Sequence, residues 1–197
     1  MKKIIYIEAA NKNVPETHFL ESYIEHIGLN DISIIPIDGK GNLSTSCQKI
    51  KDDLACGNKP VILFDADGEW NKGGFDITID VIKETIRSNG INEDLEIFLW
   101  PNNKEDGDFE MMLEHIVQKE KHKLFFDCFN DYEICVSKQY DTPNRKGKFH
   151  TFMNAHKELS GETKKKFGKG KWLFSNKNYW DWDSPYLLPL RDFLKSL

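Results

Sequence analysis

The chain has 197 residues, of which 39% are hydrophobic and 30% charged, and its formal net charge is −5 at pH 7. That length suits one domain, or one domain with a substantial extension, and lets the chain fold without a chelate or a disulfide framework. No apolar run approaches the roughly 20 residues needed to span a bilayer. The start MKKIIYIEAANKN turns polar after its eighth residue, so a secretory signal is set aside as well. Cys47, Cys56, Cys128 and Cys135 lack C-x-x-C spacing and read as free thiols in a reducing compartment, which makes the expected location cytoplasmic.

The first strand is expected over residues 4–7, IIYI, and ends in Glu8. A helix from Thr17 follows, with Phe19, Tyr23, Ile24 and Ile27 on one face. The runs ISIIPI (32–37), VILF (61–64) and LEIFLW (95–100) are short, rich in β-branched and aromatic residues, and bounded by polar loops. They read as three more strands, the near-continuous ones covered on both faces. Between them lie helical patterns over Ser44–Cys56 and through Ile79, Ile82 and Ile86. After the loop PNNKEDGD comes the cleanest helix, through Phe109, Met112, Leu113, Ile116 and Val117. Strands and helices alternate at βαβ lengths, which predicts a Rossmann-like α/β core over residues 1–120. Its mostly parallel sheet of about four strands would carry helices on both faces.

Residues 121–197 break that rhythm and read as a mainly helical, aromatic-rich extension packed on the core in one compact unit. DCFNDYEICVSKQY and TPNRKGKFHTFMNAHKEL are expected to be helical, with Pro143 in a first turn. GETKKKFGKGKW reads as a Lys/Gly-rich loop, and YWDWDSPYLLPLRDFLKSL as a short helix returning to the sheet.

Charge is segregated along the chain. Lys138 to Lys171 holds ten Lys or Arg against three Asp or Glu, a net of +7, which leaves −12 on the remainder. In an open parallel sheet, ligands bind at the carboxyl ends of the strands. Three predicted strands deliver acids there: Glu8 after the first, Asp65 and Asp67 after the third, and Asp106, Asp108 and Glu110 beyond the fourth. Gathered carboxylates repel one another, and protons or a hard cation such as Mg²⁺ would offset that repulsion. A basic band beside an acidic metal centre would suit a phosphate backbone. Arg145, Lys146, Lys148, Lys164, Lys165, Lys166, Lys169 and Lys171 are therefore candidates for nucleic-acid contact, with a solvated basic surface as the alternative.

IIYIEAANKN with its following helix, and VILFDADGEW some 55 residues later, resemble the Toprim fold. That fold is the catalytic module of topoisomerases, bacterial primases, recombination-repair proteins and OLD-type nucleases. FLWPNNKEDGDFEMML and YDTPNRKGKF resemble, more closely, a bacterial group of small stand-alone Toprim-like proteins, the DUF3226 type. The Toprim likeness covers roughly residues 1–118 and the closer one nearly the whole chain. The resemblance implies that Asp65 and Asp67 hold Mg²⁺, or Mn²⁺ in its place. It also implies that Glu8 is a general acid/base in nucleotidyl transfer or phosphodiester cleavage.

Ala9 replaces the family's glycine after the glutamate, and the loop from Glu8 to Phe19 is longer than usual. These departures open a second reading, a Toprim-like module that binds or regulates without turnover. A third is a small-molecule phosphotransfer or phosphohydrolase domain. Asp106 and Asp108 are carried as further metal-ligand candidates, although Asp108 could equally cap a helix whose first turn holds Glu110. The six histidines form no ligand spacing, and His115 and His122 read as surface groups. Trp172, Tyr179, Trp180, Trp182 and Tyr186 read as a satellite core, with base stacking as the alternative. GKGN at 39–42 is too short for a phosphate loop of the Walker type.

Overall fold

The computed structural model describes residues 1–197, the side chain of Trp70 excepted. Four strands, β1 (Lys3–Ile7), β2 (Ile32–Pro36), β3 (Lys59–Asp65) and β4 (Glu96–Trp100), form one sheet in the order β2-β1-β3-β4. All three pairings are parallel, with Ile7 opposite both Pro36 and Leu63, and Asp65 opposite Trp100. The chain runs outward from β1 to β2 and then returns to lay β3 on the other side of β1. The winding direction therefore reverses between β1 and β3, and such a switch point opens a crevice at the strands' carboxyl ends. Glu8 leaves β1 at that crevice and Asp65 ends β3 beside it.

Helices cover both faces, as the alternation predicted. Ile4, Tyr6, Ile62, Phe64 and Leu99 point to one face, where α2 (Leu43–Ala55) and α3 (Phe75–Ser88) supply Leu43, Cys47, Ile50, Ile82 and Ile86. The opposite set, Ile5, Ile7, Val61, Leu63, Phe98 and Trp100, packs against α1 (Pro15–His26) and α4 (Phe109–Ile116). Helix α1 starts where the sequence permits: Val14 is extended, Pro15 occupies the first turn, and Glu16 follows at the positive end of the helix dipole. Thr17 is fully buried and its Oγ1 donates to the Asn11 carbonyl at 3.1 Å, closing the long loop after Glu8.

Beyond residue 120 come α5 (Lys123–Val136), α6 (Arg145–Ala155), α7 (Gly161–Phe167) and α8 (Leu188–Ser196). Phe149, Phe152, Trp172, Phe174, Trp180, Trp182, Leu190 and Leu194 join the same buried cluster as α1 and α4. The tryptophans are thus part of the main core, not a satellite of it. Each indole N–H donates to a backbone carbonyl: Trp172 to Phe167, Trp180 to Trp172 and Trp182 to Phe174. Buried indoles usually find such a partner.

Three segments differ from what their sequence predicts. The Lys/Gly-rich segment holds a short helix, α7, because Ser160 accepts from the Thr163 amide and caps it, and Phe167 is buried. Pro143 lies outside the helix, one residue before the Asn144 cap of α6. Helix α5 begins at Lys123 and ends at Val136, four residues earlier than the expected 127–140. Among the described residues, no helix is long and apolar enough to cross a membrane. All four cysteines are free thiols, with only Cys47 buried.

Candidate metal centre at the strand ends

Glu8 lies between the two aspartates and the turn that follows β2. Its Oε2 accepts the Asp65 backbone N–H at 3.2 Å. Its own carbonyl accepts from the Gly39 amide at 2.8 Å, tying the GKGN turn to the end of β1. That turn sends the Lys40 side chain into the crevice, where Nζ contacts Asp67 Oδ2 and stands 4.0 Å from Glu8 Oε2. An ammonium thus spans Glu8 and Asp67, two of the six strand-end acids.

Asp65 and Asp67 have different neighbours. Asp65 Oδ1 accepts from the Phe109 amide, 2.9 Å away at the start of α4. Asp67 takes a left-handed backbone (φ 58°), which aspartate tolerates better than most residues. Its amide and carbonyl pair with those of Gly107 in an isolated antiparallel bridge. A Cβ at Gly73 would lie 2.6 Å from Asp67 Cβ, so glycine is required where the next loop folds back over this aspartate.

The remaining candidates are placed less centrally. Asp108 caps α4 by accepting from Met111 at 2.7 Å, and its other oxygen lies 3.5 Å from Arg145 Nη1. Asp106 Oδ1 accepts from the Phe75 amide at 2.7 Å and so holds the start of α3. Asn103 Oδ1 accepts from Leu99 at 3.0 Å and Asn102 Oδ1 from Glu105 at 3.0 Å, which makes both asparagines turn formers. Lys146 lies against Glu16 at 3.0 Å and Glu110 at 3.7 Å, and Lys148 against Glu133 at 3.4 Å. Lys164 Nζ donates to the Asn154 carbonyl at 2.9 Å. Lys165, Lys166, Lys169 and Lys171 are exposed. The basic residues therefore do not form one open stripe: Arg145, Lys146 and Lys148 face acids, and the exposed lysines cluster around α7. His115 is exposed and stacks on Tyr186, whereas His122 is half-buried among Phe152, His156 and Tyr179.

Negative charge at this edge is only partly offset. Burial pushes the Asp65 carboxyl well above the usual range, and the charges of Glu8, Glu110 and Asp108 add to it against the Phe109 amide. Burial also raises Glu8, with Lys40 and the Asp65 amide opposing. Glu110 is raised to about 7, first by burial and then by Glu16. Glu16 Oε2 and Glu110 Oε1 are buried without a hydrogen-bond partner among the described residues. Oxygen donors with this much unmet negative charge fit a hard divalent cation, which commonly takes one or two carboxylates and completes its shell with water. Among the described residues, no three His, Cys, Asp or Glu side chains converge to hold an ion as they stand.

Lys40 and Glu16 are members of the site that the sequence reading does not select. GKGN is too short for a Walker loop, yet it follows β2 at the same sheet edge, so the strand-end rule that selects Glu8 selects Lys40 too. A family model described as a protein of unknown function, DUF3226, matches residues 3–197. No curated protein matches the chain. Among solved structures, similarity is found to the C-terminal region of the Burkholderia pseudomallei OLD protein, at 12% identity and a TM-score of 0.43, covering 99% of this chain and 97% of that one.

Proposed function

The chain belongs to the DUF3226 family, and from the site at its β1/β3 crevice we propose that it carries out divalent-cation-dependent phosphodiester chemistry on nucleic acid. The observation that carries this reading is the Lys40 ammonium clasped by Glu8 and Asp67 at the switch point of the sheet. Two carboxylates there already hold a cationic group, beside a third carboxylate raised by burial. The Toprim resemblance of the residues around Glu8, Asp65 and Asp67 supports the same assignment. Mg²⁺ or Mn²⁺, when bound, would supply charge neutralisation at a phosphoryl oxygen and a more acidic water.

Asp65 and Asp67 are the residues that would hold the ion. Glu8, whose proton affinity is raised by burial, would move a proton to or from the reacting oxygen. Lys40 would place a positive charge where a phosphate's negative charge develops. The Ala9 departure and the Asp67–Lys40 pair favour a second reading, a module that binds nucleic acid without turnover.

Thermal melting in Mg²⁺ tests the ion site, because a ligand bound only by the folded state stabilises it by mass action. The wild type should melt higher with Mg²⁺, and Asp67→Asn should abolish the shift. Lys40→Met, which removes the competing ammonium, should lower the metal-free melting temperature and enlarge the increment. An Mg²⁺ response identical in all three proteins would remove the site from consideration.

A further inference from the structure

A cavity of about 270 Å³ opens from the strand-end site onto the surface of α3. Its two ends differ in chemistry. At one end stand Glu8, Asp67 and Lys40, joined by Lys72, which makes no ion pair among the described residues. At the other, Ile77 and Val81 lie one helical turn apart on α3 and are 55% and 57% exposed, beside buried Leu43 and Phe64. A concave site with an apolar wall and a few convergent charges is the usual form of a small-ligand pocket. Here the charged end is the one the proposed chemistry uses.

The geometry points to this cavity as the seat of a single nucleoside of a nucleic-acid strand, its base against Ile77 and Val81 and its phosphate toward Lys40 and Lys72. The inference rests on the proposed function and names its substrate class. Pockets for drug-sized ligands begin at about 300 Å³, so this one has room for one nucleoside and not for a stacked pair. A base reaches such a pocket only after leaving its stack, which is least costly in single strands, at ends and at unpaired positions. Asn71, at the same mouth, has no side-chain hydrogen bond among the described residues and offers both a donor and an acceptor to a base edge.

The test is titration of dAMP, and separately of a single-stranded oligonucleotide and its duplex, into the full chain at low salt with Mg²⁺. Val81→Glu and the milder Ile77→Ser are compared with the wild type. We expect dAMP to bind, the single strand to bind more tightly than the duplex, and Val81→Glu to weaken both ligands by at least about tenfold, since it buries a charge against an apolar base. The Mg²⁺ melting shift should persist in Val81→Glu, which separates this cavity from the ion site. Loss of that shift in every protein with dAMP binding still dependent on Val81 would sink the metal reading and leave the cavity assignment standing. Unchanged dAMP affinity in both variants, or equal affinity for duplex and single strand, overturns the inference. So does a Val81→Glu effect confined to self-association in sedimentation, which would give this face to a second copy of the chain.

Discussion

Glu110 shows how the site's charge balance can be read in solution. Burial and the neighbouring Glu16 raise its carboxyl from the ordinary 4.5 to about 7. A group raised on folding contributes its stability below the unfolded value and loses it as pH climbs through the folded value. The metal-free protein should therefore lose stability between about pH 4.5 and pH 7, and Glu110→Gln should flatten that decline in melting curves taken across the range. A decline just as steep in Glu110→Gln would mean that this carboxyl is not a source of the effect. The single-residue features were legible where chain order alone fixes position. Glu8 and Asp65 could be found because strand ends in a parallel sheet share an edge. Asp106 could not be resolved in the same way, since its acceptance of the Phe75 amide depends on how the β4–α4 loop lies against α3.

Whole elements carry the next level of organisation. The first turn of α4 draws acids together: Asp65 accepts from Phe109, Asp108 from Met111, and Glu110 follows within the same turn. Free amides and the dipole at a helix start favour negative charge, so α4 helps to hold carboxylates that burial opposes. At the start of α1 the device is steric. Gly170, with φ +72°, lies so close that an added Cβ would meet the Val14 carbonyl carbon at 2.3 Å and Pro15 N at 2.4 Å. Gly57 has nearly the same φ, +73°, with nothing within 4 Å. Gly57→Ala should thus cost only backbone strain, about 1–2 kcal/mol, and Gly170→Ala clearly more, as read from denaturant unfolding of both variants. Equal losses would show that the turn after α7 is not seated on α1. The strands were legible in their apolar runs and α4 in its helical period. Helix α7 was not, because it runs for only seven residues and buries a single one, Phe167, leaving almost no periodic signal.

At the scale of the molecule, the two parts of the chain share one buried cluster on one face of the sheet. Phe19 of α1 stacks on Trp182 and meets Phe174, Phe109 and Trp100 edge-on, so first-half and last-half aromatics are mutually enclosed. We propose on that basis that residues 121–197 complete the fold and are not a separable domain. Composition suggested the packing, since so many aromatics are not left in solvent, but not which sheet face they would cover. Ion pairing revises the picture of the basic rear. Lys146 joins Glu16 and Glu110 behind the crevice, leaving the lysines around α7 as the candidates for a phosphate backbone. Turnover at the β1/β3 crevice is the central consequence of the metal-site assignment. Its most direct test is cleavage of an end-labelled single-stranded oligonucleotide in Mg²⁺ or Mn²⁺ by the wild type and by Glu8→Gln. The wild type should give metal-dependent product and Glu8→Gln should lose about 10²-fold or more, the usual contribution of a general acid/base, with most of the Mg²⁺ melting shift retained. No product from a wild type that binds Mg²⁺, or equal product from both proteins, would contradict that assignment.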